Sequence, residues 1–165
     1  MNKLIRKFRK KIKKIIKLSL DFFKKEKFIA VVKTGKGSSS KQGEYYVENI
    51  SKCFGVNIFP GTLNVGLSTD LFLKKPYIFS SKKGKYCVWP IKLNGCSCYA
   101  VKPPRAKNWP NSLEIIADFI IRDKFNLKNG DTVEIIISEK YIDRDGIFLN
   151  YKVKPIRYKS GFFDC

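Results

Sequence analysis

The chain has no histidine among its 165 residues. This absence excludes the catalytic triads and dyads that depend on an imidazole base, and it leaves carboxylate, lysine or metal chemistry. It also weakens the zinc signal of Cys96 and Cys98, because no histidine is there to complete a tetrahedral ligand set. The cysteine spacings fit no disulfide framework, so we expect structural or incidental thiols in a reducing cytoplasm. The cysteines are Cys53, Cys87, Cys96, Cys98 and Cys165.

The chain also lacks an apolar run of about 18 residues, the length that a membrane-spanning helix needs. Residues 1–27 instead carry 12 Lys/Arg and 2 acidic residues, so half of the formal net charge of +20 lies in this segment. The apolar residues of this segment follow one helical stripe, which predicts a basic amphipathic helix. We expect this helix to lie on an anionic membrane surface, to pack on the domain or to contact a partner. The stripe consists of Leu4, Ile5, Phe8, Ile12, Ile15, Ile16, Leu20 and Phe23.

Residues 28–139 predict one mainly β domain. An apolar fraction of 44% fits a globular chain, and the length fits one domain better than two. Short β-prone runs are separated by turn residues, without a repeating βαβ pattern, which favours a small closed β-barrel with one or two short helices. The runs are FIAVVK, YYVENI, YCVWPIKL, CYAVK and TVEIIIS.

Two later segments are less specific. Residues 112–125, SLEIIADFIIRDKF, fit either a helix or a strand followed by a short helix, because the apolar period is helical but isoleucine is abundant. Residues 140–165 are expected to form a C-terminal extension with a hairpin turn at Asp145-Gly146. The sequence Asp143-Arg144-Asp145 fits a turn better than a calcium loop, because the spacing of oxygen ligands is incomplete.

The segment Gly61-Thr62-Leu63-Asn64 offers a candidate metal site. Thr62 and Asn64 are two residues apart, so on an extended chain their side chains point to the same face. A hydroxyl and an amide oxygen are ligands that suit Mg²⁺. The alternative is a turn that leads into a strand.

Upstream, Thr34-Gly35-Lys36-Gly37 follows a β-prone run and opens a polar loop that closes at Gly43. Glycines let backbone N–H groups approach phosphate oxygens, and Lys36 adds a positive charge. The pattern matches neither a P-loop nor a full dinucleotide-binding fingerprint, so a flexible hairpin loop is the alternative.

Glu114 lies among isoleucines in SLEIIADF. A carboxylate in such a run is either a surface residue or a group that accepts a proton from an attacking hydroxyl. Asp118 is a second candidate, although its position after the apolar run favours a cap or a turn.

Taken in order, these segments resemble the archaeal CTP-dependent riboflavin kinases. The similarity extends over residues 29–138 and is strongest in Gly61–Val65 and Arg122–Ile137. It implies a six-stranded, cradle-loop-type barrel that transfers the γ-phosphate of CTP to the 5′-hydroxyl of riboflavin, giving FMN and CDP.

The resemblance also implies roles for single residues. Thr62 and Asn64 match the Mg²⁺ ligands of the family, and Glu114 matches its glutamate at the ribityl chain. The nucleotide-binding residues by this similarity are Gly35, Lys36, Gly37 and Gly43 over the phosphates, and Phe119, Ile120, Ile121 and Arg122 beside the cytosine.

The chain departs from the family pattern in two loops. The glycine loop is lengthened by SSSKQ, and VKPPRAKNWPNS has Ala106 where a hydroxyl residue is expected. The altered second loop keeps a sugar or another small alcohol open as the acceptor, and Trp109 is either a flavin contact or a packing residue. A non-catalytic basic binding module is a further alternative, although we do not expect nucleic acid as its partner.

Overall fold

Strands dominate the part of the chain that the structure describes. This computed structural model describes residues 24–35, 44–81, 84–103 and 110–144. The helices there are α1 (Glu44–Phe54) and α2 (Ile121–Phe125), and a short 3-10 helix spans Glu139–Tyr141. The strands are β1 (Lys25–Lys33), β2 (Leu63–Leu67), β3 (Tyr77–Ser81), β4 (Gly84–Leu93), β5 (Cys96–Lys102), β6 (Ser112–Ile116) and β7 (Thr132–Ser138).

The strands close into an antiparallel barrel in the order β4-β5-β6-β2-β1-β7, because β7 pairs back onto β4. Closure runs through three opposed pairs, of which Ile91↔Ile137 is the first and Leu93↔Ile135 the last. A seventh strand, β3, pairs with β4 outside the closed ring. The prediction of a six-stranded barrel in a mainly β domain is therefore confirmed.

Alternation along the strands fills the barrel with apolar side chains. In β7, Val133, Ile135 and Ile137 are buried, while the residues between them are partly exposed. Trp89 is fully buried, and its indole N–H donates to the Lys74 carbonyl at 2.9 Å. Because inward and outward residues alternate, each strand also presents a second set of side chains on the outside of the barrel.

Helix α1 covers part of that outer surface. Val47 and Ile50 of α1 pack in a second apolar cluster against Val88, Val101 and Ile116 of the barrel strands. Val101 of β5 and Ile116 of β6 are therefore buried in this cluster on the outer face of the barrel.

The prediction of a strand at YYVENI is wrong, because these residues form the first half of α1. Val47, Ile50 and Phe54 recur at helical spacing, and all three belong to the cluster on the barrel. Glu48 and Lys52 add an i,i+4 ion pair at 2.7 Å on the solvent side. Packing of this apolar face overrides the β propensity of the tyrosines and valine.

For residues 112–125 the structure selects a strand followed by a short helix. Residues 112–116 form β6, and α2 follows after a bend that contains Asp118. The predicted turn at Asn129-Gly130-Asp131 is confirmed: the Gly130 N–H donates to the Val32 carbonyl at 2.9 Å, and Gly130 has a φ of 94°.

The two terminal extensions fall mostly outside the described ranges. The predicted amphipathic helix lies in residues 1–27, but β1 begins at Lys25, so the last three residues of that segment are strand. The expected hairpin at Asp145-Gly146 also lies outside the described residues. Across residues 24–35, 44–81, 84–103 and 110–144, no helix is both long and apolar enough to span a membrane.

Candidate active site

Three neighbouring strands place Lys33, Asn64 and Glu114 in one row on the outside of the barrel. Lys33 of β1 is directly opposite Asn64 of β2, and Asn64 is directly opposite Glu114 of β6. The adjacent residues in β2 and β6, including Val65 and Ile115, point into the core and are fully buried. Side chains opposite each other in an antiparallel sheet have Cβ atoms about 4.5–5.5 Å apart. One small ligand can therefore contact Asn64 and Glu114 together.

Glu114 is only partly exposed, and its carboxylate has no hydrogen-bond or ion-pair partner among the described residues. Its neighbours on the outer face include Val101, which is opposite it on β5, and Ile116. Both are buried in the apolar cluster that Val47 and Ile50 of α1 join. Burial in this apolar surrounding raises the pKa of Glu114 above its ordinary value. Glu114 is thus a half-buried residue on the outer face of a strand, and a carboxylate of raised pKa suits proton transfer.

The oxygen donors expected to hold Mg²⁺ lie at the beginning of β2. Thr62 immediately precedes the strand, and Asn64 is its second residue. Both side chains are partly exposed and carry neutral oxygen donors, which suit a hard cation that keeps several waters. These donors are therefore of the kind that suits Mg²⁺.

The glycine loop begins in contact with this pair. A Cβ atom built on Gly35 would lie 2.7 Å from the Asn64 Nδ2 atom, closer than side chains pack. Glycine at position 35 thus lets the backbone pass directly over the Asn64 amide. The other predicted residues of the loop, Lys36, Gly37 and Gly43, lie outside the described residues.

We expect Gly35→Ala to lower kcat/KM by about 10- to 100-fold, because a small displacement of a substrate-positioning group has effects of this size. The added methyl group would push the Asn64 amide away from its position. The variant should also need more Mg²⁺ for half-maximal activity, which a Mg²⁺ titration of the initial rate measures. An unchanged Mg²⁺ dependence in a variant with the wild-type melting temperature would contradict this explanation.

A cleft of about 130 Å³ opens between the start of β2 and the start of α2. Its walls are Phe59 to Leu63 on one side and Phe119 to Arg122 on the other. Phe59 and Ile120 are exposed apolar side chains at its rim. The Phe59 N–H donates to the Ala117 carbonyl at 2.7 Å, which ties the two walls together. The structure therefore brings the segment expected beside the cytosine next to Thr62.

The side chain of Arg122 has a role that the sequence did not indicate. Its guanidinium donates to the Lys33 carbonyl at 3.0 Å and to the Asn129 side-chain oxygen at 2.9 Å. The Asn129 amide in turn donates to the Thr34 hydroxyl at 2.9 Å. This network holds the first residues of the glycine loop against α2 and the turn after it. The contacts of Arg122 with Lys33 and of Asn129 with Thr34 join residues 89 and 95 positions apart, so local sequence patterns do not indicate them.

The loop after β5 is described only at its two ends. Residues 104–109, which include Ala106 and Trp109, lie outside the described residues. At its beginning, Lys102 is buried and its pKa is lowered by that burial. Asp118, the second candidate carboxylate, is exposed in the bend between β6 and α2, in keeping with a turn role.

Among the described cysteines, Cys87, Cys96 and Cys98 form no disulfide. Burial raises the pKa of Cys98 to about 12, so this thiol is protonated and unreactive at neutral pH. No cluster of three or more Cys, Asp or Glu side chains able to hold a metal occurs within the described ranges.

The outer face of the barrel thus brings together two neutral oxygen donors, Thr62 and Asn64, and a carboxylate of raised pKa, Glu114, and a cleft lies next to Thr62. Groups of these kinds are found in phosphotransferase sites. The family model CTP-dep_RFKase, described as domain of unknown function DUF120, matches residues 31–137. This match spans more than half of the sequence, and the chain belongs to the CTP-dependent riboflavin kinase family.

Individual relatives agree with the family match. A protein named riboflavin kinase from Staphylothermus marinus is 37% identical over 114 residues, covering 65% of this chain and 88% of the relative. Riboflavin kinase from Saccharolobus solfataricus is 32% identical over 116 residues, covering 61% and 66%. Riboflavin kinase from Methanocella arvoryzae is 29% identical over 111 residues, covering 58% and 51%.

Proposed function

We propose that the chain transfers the γ-phosphoryl group of CTP to the 5′-hydroxyl of riboflavin, giving FMN and CDP, in a Mg²⁺-dependent reaction. One observation carries the proposal: Asn64 and Glu114 are directly opposite on adjacent strands, where Gly35 touches the Asn64 amide. The family match and the names of the relatives supply the donor and the acceptor.

Glu114 acts in this proposal as the base. The 5′-hydroxyl of riboflavin gives its proton to the Glu114 carboxylate while its oxygen forms a bond to the γ-phosphorus. The bond between that phosphorus and the β,γ-bridging oxygen breaks, and its electron pair leaves with CDP. A raised pKa brings the basicity of the carboxylate closer to neutral pH, where a general base is most effective.

Thr62 and Asn64 would hold the magnesium ion through the threonine hydroxyl and the amide oxygen. When bound, Mg²⁺ neutralises negative charge on the phosphates. The protein residues position the two substrates around it. Thr62 faces the cleft, and Asn64 lies between the glycine loop and Glu114.

The cleft between β2 and α2 is the proposed nucleotide pocket. Its apolar rim, Phe59 and Ile120, suits a flat base, and the main chain of residues 119–122 offers N–H and C=O groups at its edge. Cytosine and adenine present different donors and acceptors, and a buried polar group without a partner is costly. Main-chain contacts in this cleft would therefore favour CTP over ATP.

The direct test is turnover of riboflavin by the purified chain with Mg²⁺ and either CTP or ATP. We expect FMN formation with CTP to exceed that with ATP by at least about 100-fold in kcat/KM, the discrimination that mispaired polar groups produce. Chromatography of the flavins and of CDP measures both products. A protein that releases CDP with a sugar or another small alcohol, but leaves riboflavin unchanged, would refute riboflavin as the acceptor.

A further inference from the structure

Lys33 extends across Gly66 on the outer face of the barrel. A Cβ atom built on Gly66 would lie 3.2 Å from the Lys33 Cδ atom and closer still to Cε and to the ammonium nitrogen. Gly66 is on the outer face, two residues after Asn64, yet it is buried. The absence of a side chain at position 66 therefore leaves a channel on β2 in which the lysine side chain lies.

Lys33 is an exposed residue, and no described group neutralises its ammonium group. The Lys33 carbonyl accepts a hydrogen bond from Arg122 at 3.0 Å, which fixes the main chain at the end of β1. The ammonium group has no hydrogen-bond or ion-pair partner within the described part of the chain. Gly66, over which it lies, is opposite Ser112 on β6, the strand that carries Glu114. The positive charge of Lys33 therefore lies on the same outer face as Asn64 and Glu114. It is positioned over β2, between β1, which leads into the glycine loop, and β6, which carries Glu114.

An ammonium group in this position suits an anionic ligand that lies along the row. The acceptor riboflavin is uncharged where it reacts, so the anion that meets this surface is the phosphoryl group in transfer. It belongs to CTP before the reaction and to FMN afterwards. Lysine binds phosphate oxygens as a compact point charge, and such charge-assisted contacts strengthen as charge develops during transfer.

We propose that Lys33 binds the transferred phosphoryl group through its ammonium nitrogen, as a catalytic residue additional to Thr62, Asn64 and Glu114. This inference rests on the proposed function for the identity of the substrates. Gly66 contributes to this role of Lys33, because the absence of a side chain at position 66 leaves room for the lysine side chain.

The experiment compares two pairs of ligands that differ only by this phosphoryl group, CTP against CDP and FMN against riboflavin. In Lys33→Met the side chain keeps its apolar stem but loses its charge. We expect the affinities for CTP and FMN to fall about 10-fold or more, the size of a lost charge-assisted hydrogen bond, and those for CDP and riboflavin to stay within about twofold. Flavin fluorescence and nucleotide titration calorimetry measure the four affinities.

Two further variants separate charge from shape. Gly66→Ala keeps the charge but forces the lysine tip aside, and it should produce the same pattern because the flexible side chain can yield without unfolding. Lys25→Met removes a lysine from the same face of β1, at its opposite end, and should leave all four affinities unchanged. Lys33→Arg should recover part of the loss, because the positive charge is kept.

The outcomes distinguish this proposal from the function on which it rests. Equal losses for both members of each pair would show that Lys33 contacts a group that the two ligands share, and no loss in Lys33→Met would show that it only covers Gly66. Either result would overturn the proposal. A wild-type chain that binds CTP but neither flavin would refute riboflavin as the substrate, while the CTP and CDP affinities would still decide the role of Lys33. A chain that binds neither pair would overturn both proposals.

Discussion

Glu114→Gln is expected to lower kcat by about 10²- to 10⁴-fold, the usual contribution of a general base. Glutamine has nearly the same shape as glutamate but cannot accept the proton of the attacking hydroxyl. In the wild type, kcat should rise with pH as Glu114 loses its proton and then reach a plateau. That rise should be absent from the residual activity of the variant, and a pH profile of kcat with saturating substrates measures it.

The same substitution should stabilise the fold at neutral pH. Burial raises the pKa of Glu114 in the folded state, so the unfolded chain releases this proton more readily. At a pH below the unfolded value of about 4.3, the carboxyl is neutral in both states and the substitution changes little. As the pH rises through the folded pKa, wild-type stability is lost relative to the variant. Thermal unfolding of both proteins from pH 4 to pH 8 should show this growing difference.

Asp118→Asn is the matched control, because it removes the other candidate carboxylate while leaving the same bend exposed. It should retain wild-type turnover within about twofold, as substitutions away from a reacting group usually do. If Asp118→Asn abolishes turnover and Glu114→Gln does not, the base has been assigned to the wrong carboxylate.

Asn64→Ala is expected to lower kcat/KM by at least about 100-fold at saturating Mg²⁺, because it removes an oxygen donor from the site of charge neutralisation. The fold should tolerate the change. The Asn64 side chain points outwards between the buried Leu63 and Val65, and its backbone bonds to β1 and β6 remain. Steady-state kinetics with a Mg²⁺ titration, paired with thermal unfolding, measure the two effects separately.

Two comparisons test whether the oxygen of Asn64 is what matters. Asn64→Asp keeps an oxygen donor of the same reach and should retain more Mg²⁺-dependent activity than the alanine variant. Asn57→Ala removes an exposed asparagine before β2 and should behave like the wild type. Asn64→Ala activity that stays within a few-fold of the wild type would remove this residue from the metal site.

Four strands of the barrel, β1, β4, β5 and β7, could be predicted from the sequence because their signal is local. In β1 and β7, runs of Val and Ile lie between turn residues. The turn at Gly130 could be predicted because Asn129 and Asp131 flank the glycine. Helix α1 was missed for the opposite reason. Its helical assignment depends on Val47 and Ile50 reaching the outer surface of the barrel, which exists only after closure.

The residues of the candidate site also differ in how far the sequence alone indicates them. Thr62 and Asn64 could be proposed as metal ligands from the sequence, because their spacing would put both oxygens on one face of an extended chain. The raised pKa of Glu114 was not, since it depends on Val101 and α1, which come from other parts of the chain. No role was predicted for Lys33 either, because its position over Gly66 depends on the register between β1 and β2.

The pairing of β1 with β7 sets the order in which activity can appear during synthesis. These strands are separated by more than 100 residues, as in the pair Val31↔Thr132, and β1 has its other partner in β2. Contacts between such distant segments form slowly, because a long loop must close before they are gained. On the ribosome, the barrel that carries Lys33, Asn64 and Glu114 on its outer face cannot close until β7 has emerged. A nascent chain stalled before residue 132 should therefore be unable to retain CTP.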